Sequence, residues 1–264
     1  MKRIMLLAPL GAVLLASSAG FTQSPFEGTW KIDMNKLTLP QKPDVFLLQN
    51  GMYSCKSCTP AYTVKADGAD QPVSDQPYFD TAAIKVVNDH EIQETDKKAG
   101  KTVATSDIVV SADGKSATAT FTDSSATNGG APVKGKGIYT LVGKGPPGAH
   151  AVSGSWRRSN LESLSENAIL WTYKVSGNKL TMTNPTGQSY TARFNGPDAP
   201  MKGDPGITSV SVKKIGNTFE ETDKRDGKVI GVFRVTVAAD GKTAKASYTD
   251  TLQKRTTQFD AVKQ

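Results

Sequence analysis

The stretch Val110-Ser-Ala-Asp-Gly-Lys-Ser-Ala117 returns almost unchanged as Val237-Ala-Ala-Asp-Gly-Lys-Thr-Ala244. Read locally, each is a turn between two strands. Asp-Gly tolerates the positive φ that a two-residue hairpin turn demands, and apolar residues stand on both sides of it. Read together, the two stretches say that the chain is built twice. A true repeat should extend outward in step, and this one does. Phe121-Thr-Asp123 matches Tyr248-Thr-Asp250, and Glu94-Thr-Asp-Lys-Lys-Ala-Gly-Lys101 matches Glu221-Thr-Asp-Lys-Arg-Asp-Gly-Lys228, each at an offset of 127. Further upstream, Ala61-Tyr-Thr-Val-Lys-Ala-Asp-Gly-Ala-Asp-Gln-Pro-Val73 matches Ser189-Tyr-Thr-Ala-Arg-Phe-Asn-Gly-Pro-Asp-Ala-Pro-Met201 at an offset of 128. Phe26-Glu-Gly-Thr-Trp30 pairs with Val152-Ser-Gly-Ser-Trp156. The copies are read as 26–144 and 152–264, with residues 145–151, rich in Gly and Pro, as the linker between them.

Within a copy, turns alternate with segments of period two. Thr81-Ala-Ala-Ile-Lys-Val-Val87, Ser209-Val-Ser-Val-Lys-Lys-Ile215 and Ile230-Gly-Val-Phe-Arg-Val-Thr-Val237 can each turn every second side chain to a core. Long helical periodicities are missing. About eight short sequential strands per copy predict an all-β protein of two tandem antiparallel up-and-down barrels, closed to remove sheet edges. A sandwich is the alternative.

The Gly-x-Trp near the start of each copy, Gly28-Thr-Trp30 and Gly154-Ser-Trp156, resembles the opening motif of lipocalin-like barrels. That resemblance implies a Trp plugging the closed end of each barrel. The family's other usual motifs and its C-terminal helix are not found. Over nearly the whole chain, the order Gly-Thr-Trp, Tyr-x-x-x-x-Asp-Gly, Pro-Val, Lys-Lys-x-Gly-Lys and Ser-Ala-Asp-Gly-Lys also resembles a family of secreted bacterial tandem-repeat proteins. That second resemblance implies no activity.

Residues 1–20 read as a cleavable signal peptide. Lys2 and Arg3 precede a short apolar run, Ile4 to Ala16, and Ser17 and Ala19 suit the −3 and −1 positions of a cleavage site. The run is too short to span a bilayer comfortably, and no second one follows. The expected destination is the periplasm or the exterior, without stable membrane insertion. The formal charge is +7, and 7 − 2 = +5 without Lys2 and Arg3. Charges of both signs are interspersed, so no basic stripe points to a nucleic-acid partner.

Both cysteines lie in Tyr53-Ser-Cys-Lys-Ser-Cys-Thr-Pro60. At an offset of 128, Cys55 falls on Thr183 and Cys58 on Thr186, next to the turn residues Asn184, Pro185 and Gly187. The pair therefore flanks a hairpin turn that the other copy builds without cysteine. A redox centre would favour a helix N-terminus, and a zinc site needs four ligands. Export favours oxidation. A local Cys55–Cys58 disulfide is expected, removing about 2 kcal/mol of unfolded-state entropy from so short a loop.

Chemistry is otherwise sparse. His90 and His150 are read as surface residues, and no nucleophile stands beside them. Glu94, Asp96, Glu221 and Asp223 repeat faithfully, but their neighbours Lys97, Lys98, Lys224 and Arg225 suggest a solvated hairpin end. No catalytic residue, metal site or cofactor is assigned, and the ligand-binding residues are left open. The expected function is non-enzymatic: binding a small apolar or amphipathic ligand, or acting as an envelope interaction module. The alternative is a thiol–disulfide redox protein using Cys55 and Cys58. Oligomeric state is left open.

Overall fold

The computed structural model describes residues 24–264, so the expected signal peptide lies outside the described residues. The first half of the chain forms β1 (Gly28–Thr38), β2 (Asp44–Gln49), β3 (Met52–Cys55), β4 (Tyr62–Lys65), β5 (Gln71–Pro72), β6 (Thr81–Asn88), β7 (Glu91–Lys98), β8 (Lys101–Val110), β9 (Ser116–Asp123) and β10 (Val133–Lys144). The second forms β11 (Gly154–Leu164), β12 (Leu170–Ser176), β13 (Lys179–Thr183), β14 (Ser189–Arg193), β15 (Ala199–Pro200), β16 (Ser209–Ile215), β17 (Thr218–Arg225), β18 (Lys228–Val237), β19 (Thr243–Asp250) and β20 (Arg255–Lys263). A three-residue 3₁₀ turn, Glu166–Ala168, follows β11. All strand pairs within the two sheets are antiparallel, and each sheet holds ten strands, two more than the turn spacing suggests, one of them a two-residue strand that carries no pattern of its own.

Both sheets curl into nearly closed barrels. Barrel I has the order β4-β3-β2-β11-β10-β9-β8-β7-β6-β5, and barrel II the order β14-β13-β12-β1-β20-β19-β18-β17-β16-β15. Isolated bridges draw the ends together, Asp67 to Lys85 in barrel I and Phe194 to Val212 in barrel II. The curl turns one face of every strand inward, and those faces form two separate cores. Leu48, Tyr53, Ile84, Ile92 and Trp156 are buried in one, and Phe26, Trp30, Tyr173, Leu180 and Phe219 in the other.

The strand orders correct the domain boundaries read from the repeat. The first strand of each copy sits in the barrel of the other. β1 lies between β12 and β20, pairing Trp30 with Trp171 and with Lys263. β11 lies between β2 and β10, pairing Trp156 with Asp44 and with Leu141. The segment 145–151 therefore does not join the barrels. It closes the β10–β11 hairpin, where Lys144 pairs with Gly154. The chain crosses between barrels at 39–43 and again near the 3₁₀ turn.

The Gly-x-Trp motif has a plain local cause. Gly28 and Gly154 have φ of +123° and +142°, and a Cβ on Gly154 would lie 2.6 Å from the Gly143 carbonyl oxygen. The Trp that follows buries its ring and donates its indole N–H four residues back: Trp30 to the Phe26 carbonyl at 2.9 Å, Trp156 to that of Val152 at 2.8 Å. Each indole thus loses no hydrogen bond on burial.

The barrels are also tied directly. Arg255 of β20 donates to the Asp44 carboxylate and the Pro43 carbonyl, both at 2.7 Å. The Asn128 amide donates to the Thr186 carbonyl at 2.8 Å. Gly187 is fixed by this approach: at φ +90°, a Cβ there would lie 2.1 Å from the Asn128 oxygen.

Candidate functional site

Pairing registers place the two interiors in correspondence, and the correspondence shows where they differ. On β7 the inward residues are Ile92, Glu94 and Asp96; on β17 they are Phe219, Glu221 and Asp223. Ser106 pairs with Glu94, whereas Phe233 pairs with Glu221. Gly137 pairs with Ala119, whereas Phe259 pairs with the equivalent Ala246. Asp44 pairs with Trp156, whereas Trp171 pairs with Trp30.

In barrel II the three large residues meet. The Trp171 ring lies 6.2 Å from Phe233 and 6.1 Å from Phe259, both edge to face, and Phe233 stacks on Phe259 at 6.1 Å. They fill the interior. In barrel I the same three positions are Asp44, Ser106 and Gly137, and Asp44 turns to Arg255 of the other barrel. Over Gly137 the Tyr139 ring takes up the space, a Cβ there lying 3.1 Å from it, and beside Ser106 a cavity of about 330 Å³ stays open. Its walls include Phe46, Phe121, Tyr139 and Trp156, with Glu94, Asp96 and Asp123 among the polar residues. Along β11 the cavity runs from buried Trp156 to exposed Arg158, whose guanidinium donates to the Tyr139 hydroxyl at 2.7 and 3.0 Å. The volume is at the small end of ligand pockets, which run from about 300 to 1,000 Å³.

The repeated carboxylates correct the sequence reading. They do not form a solvated hairpin end but face the barrel interiors. Glu221 and Asp223 are 6% and 3% exposed. The Tyr62 hydroxyl donates to Glu94 at 2.8 Å, and the equivalent Tyr190 hydroxyl to Glu221 at 2.5 Å. Oδ1 of Asp96 and Oδ1 of Asp223 are sealed from solvent with no hydrogen-bond partner among the described residues. Burial, and then the Glu94 charge, push the Asp96 carboxyl up to about 8. Burial likewise lifts Asp223 to about 6 and raises Glu94 and Glu221. The signal was in the sequence: Glu94 and Asp96 continue the period-two face of Ile92. The four cationic neighbours hid it, because Lys97, Lys98, Lys224 and Arg225 sit at the ends of the same strands.

Cys55 and Cys58 stand at disulfide distance, with sulfurs 1.99 Å apart and Cα atoms 5.5 Å apart. The register moves the counterpart of Cys55 from Thr183 to Met182. Cys55 pairs with Tyr62, and Met182 pairs with the equivalent Tyr190. Cys55 thus fills a core position that Met182 fills in barrel II. His90 and His150 lie apart from the cavity. The His150 Nδ1 accepts from the Val152 amide at 3.1 Å, which leaves its Nε2–H to donate to the Asn88 carbonyl at 2.7 Å. A larger cleft of about 630 Å³ lies over the outer ends of β1 and β20. It is polar, and its Lys36 and Lys245 both pair with Asp260.

Neither protein-family models nor curated proteins give a match to this chain. The cavity is therefore interpreted from its own geometry.

Proposed function

We propose that this is an exported, non-enzymatic binding protein that holds one small apolar or amphipathic molecule inside barrel I. One observation carries the reading. Two barrels of matching strand order differ at three inward positions, and the one with Ser106 in place of Phe233 keeps an open cavity beside it. A packed interior is the more stable choice, since each large buried ring contributes about 1.5–3 kcal/mol. The hollow barrel forgoes that stabilisation, which a ligand supplies on binding. Barrel II then serves as scaffold, and β11, the opening strand of the second copy, brings Trp156 and Arg158 to the cavity wall of barrel I. The likeness of Gly28-Thr-Trp30 and Gly154-Ser-Trp156 to the lipocalin-like opening motif agrees with an internal site. The Lys2-Arg3 head and apolar run of residues 1–20 support export. The thiol–disulfide alternative is disfavoured by Cys55, which is 1% exposed and part of the core.

Native mass spectrometry of protein from its own envelope tests this. Wild-type protein should carry an adduct that is lost on denaturation, and Ser106→Phe, which installs the barrel II residue, should carry none. An adduct of equal occupancy on Ser106→Phe would place the site elsewhere.

A further inference from the structure

We infer that the barrel I cavity selects an amphipathic amine, with its ammonium group at Glu94 and Asp96 and its apolar body among Phe46, Phe121, Tyr139 and Trp156. The inference rests on the binding role proposed above and deepens it. The polar groups of the cavity are unevenly matched. Three carboxyl side chains, Glu94, Asp96 and Asp123, face it, and carboxylates are acceptors. Two donors nearby are spoken for: the Tyr62 hydroxyl donates to Glu94, and the Arg158 guanidinium to the Tyr139 hydroxyl. Oδ1 of Asp96 is sealed from the cavity as well as from solvent, so the contact falls to the carboxyl oxygens of Glu94 and Asp96 that line it. Among donors, an ammonium suits this place twice. It stabilises the ionised form of carboxyls that burial keeps protonated in the empty cavity, and then forms charge-assisted bonds with them, and aromatic faces attract a cation within about 6 Å. An anionic ligand would meet three carboxyl groups at the inner wall and a single guanidinium at the exposed end.

Barrel II supplies the contrast. It keeps the equivalent pair, Glu221 and Asp223, with Tyr190 on Glu221, but Trp171, Phe233 and Phe259 occupy the space where a ligand would lie. The acidic pair alone is therefore no site; the pair opening on a cavity is found in barrel I.

The experiment compares 3-phenylpropylamine with 3-phenylpropanol, two bodies of one shape with different heads, by calorimetry on the full exported chain. The amine should bind about tenfold tighter or more, the equivalent of one charge-assisted contact. The isosteric pair Glu94→Gln with Asp96→Asn should bring the amine-to-alcohol affinity ratio to within about twofold of one. Equal binding of amine and alcohol to the wild type would overturn the amine inference and leave the cavity reading intact. A preference that survives in the double variant would overturn the placement at Glu94 and Asp96. Binding of neither probe would overturn both readings. Folding of the double variant is checked by its far-ultraviolet spectrum, and the wild-type comparison stands without it.

Discussion

At the scale of single residues, Asp96 couples the cavity to the stability of the fold. The groups facing it are Glu94 on the same strand, Asp123 on β9, and Tyr62 and Tyr53 across the barrel. Its pKa is raised by burial from 3.8 to about 8, so the folded state favours the protonated carboxyl. The stabilisation this provides is full below the ordinary value and is lost as pH rises through about 8. Asp223 acts the same way over a lower window, from 3.8 to about 6. The melting temperature should therefore fall as pH is raised from about 4 to about 8. In Asp96→Asn the upper part of that fall should shrink, and in Asp223→Asn the lower part. Melting curves across this range measure both. An unchanged slope in Asp96→Asn would mean that this carboxyl ionises as freely in the fold as in the unfolded chain.

At the scale of elements, the exchange of β1 and β11 is the main feature. Each is a central strand, paired on both sides, in a barrel otherwise made by the other copy. A cut in the β10–β11 hairpin, at 145–151, should leave two fragments that stay together, because each holds a strand the other needs. Co-expressed fragments ending and starting there should elute as one complex, and each alone should be unfolded or aggregated. Two separately folded fragments would contradict the topology. Strands and turns were legible because Asp-Gly pairs and period-two segments are local signals. The exchange was not, because Gly28-Thr-Trp30 and Gly154-Ser-Trp156 are nearly the same strand, and either fits either barrel. Connection geometry decides it: 145–151 turns back on itself, whereas 39–43 extends across to the neighbouring sheet. The cavity was hidden for a similar reason. It depends on Ser106 standing where Phe233 stands, and that correspondence follows from strand register more surely than from sequence offset.

At the scale of the whole molecule, no strand is common to both barrels: barrel I is the continuous segment β2–β11, inserted between β1 and β12 of barrel II, and the two meet through a polar contact of Arg255 with Asp44 and Pro43. Barrel I can therefore open while β1 keeps its place between β12 and β20. Calorimetry should show two transitions, with the calorimetric enthalpy exceeding the van't Hoff value, because each barrel closes on its own strands around its own core. A single two-state endotherm would mean that the contacts through Arg255 and Gly187 couple the two cores.

The same exchange sets an order of events during synthesis. Trp30 in β1 pairs with Trp171 and Lys263, on strands made much later in the chain. A polypeptide that leaves the ribosome with its N-terminal end leading must hold this strand with both edges bare until β12 emerges, and with one edge bare until β20 does. Barrel I can be completed once β11 has emerged, while barrel II must wait for β20. The first segment to appear is thus the last to be locked in place, and it is the part of the chain most in need of protection from wrong partners on the way.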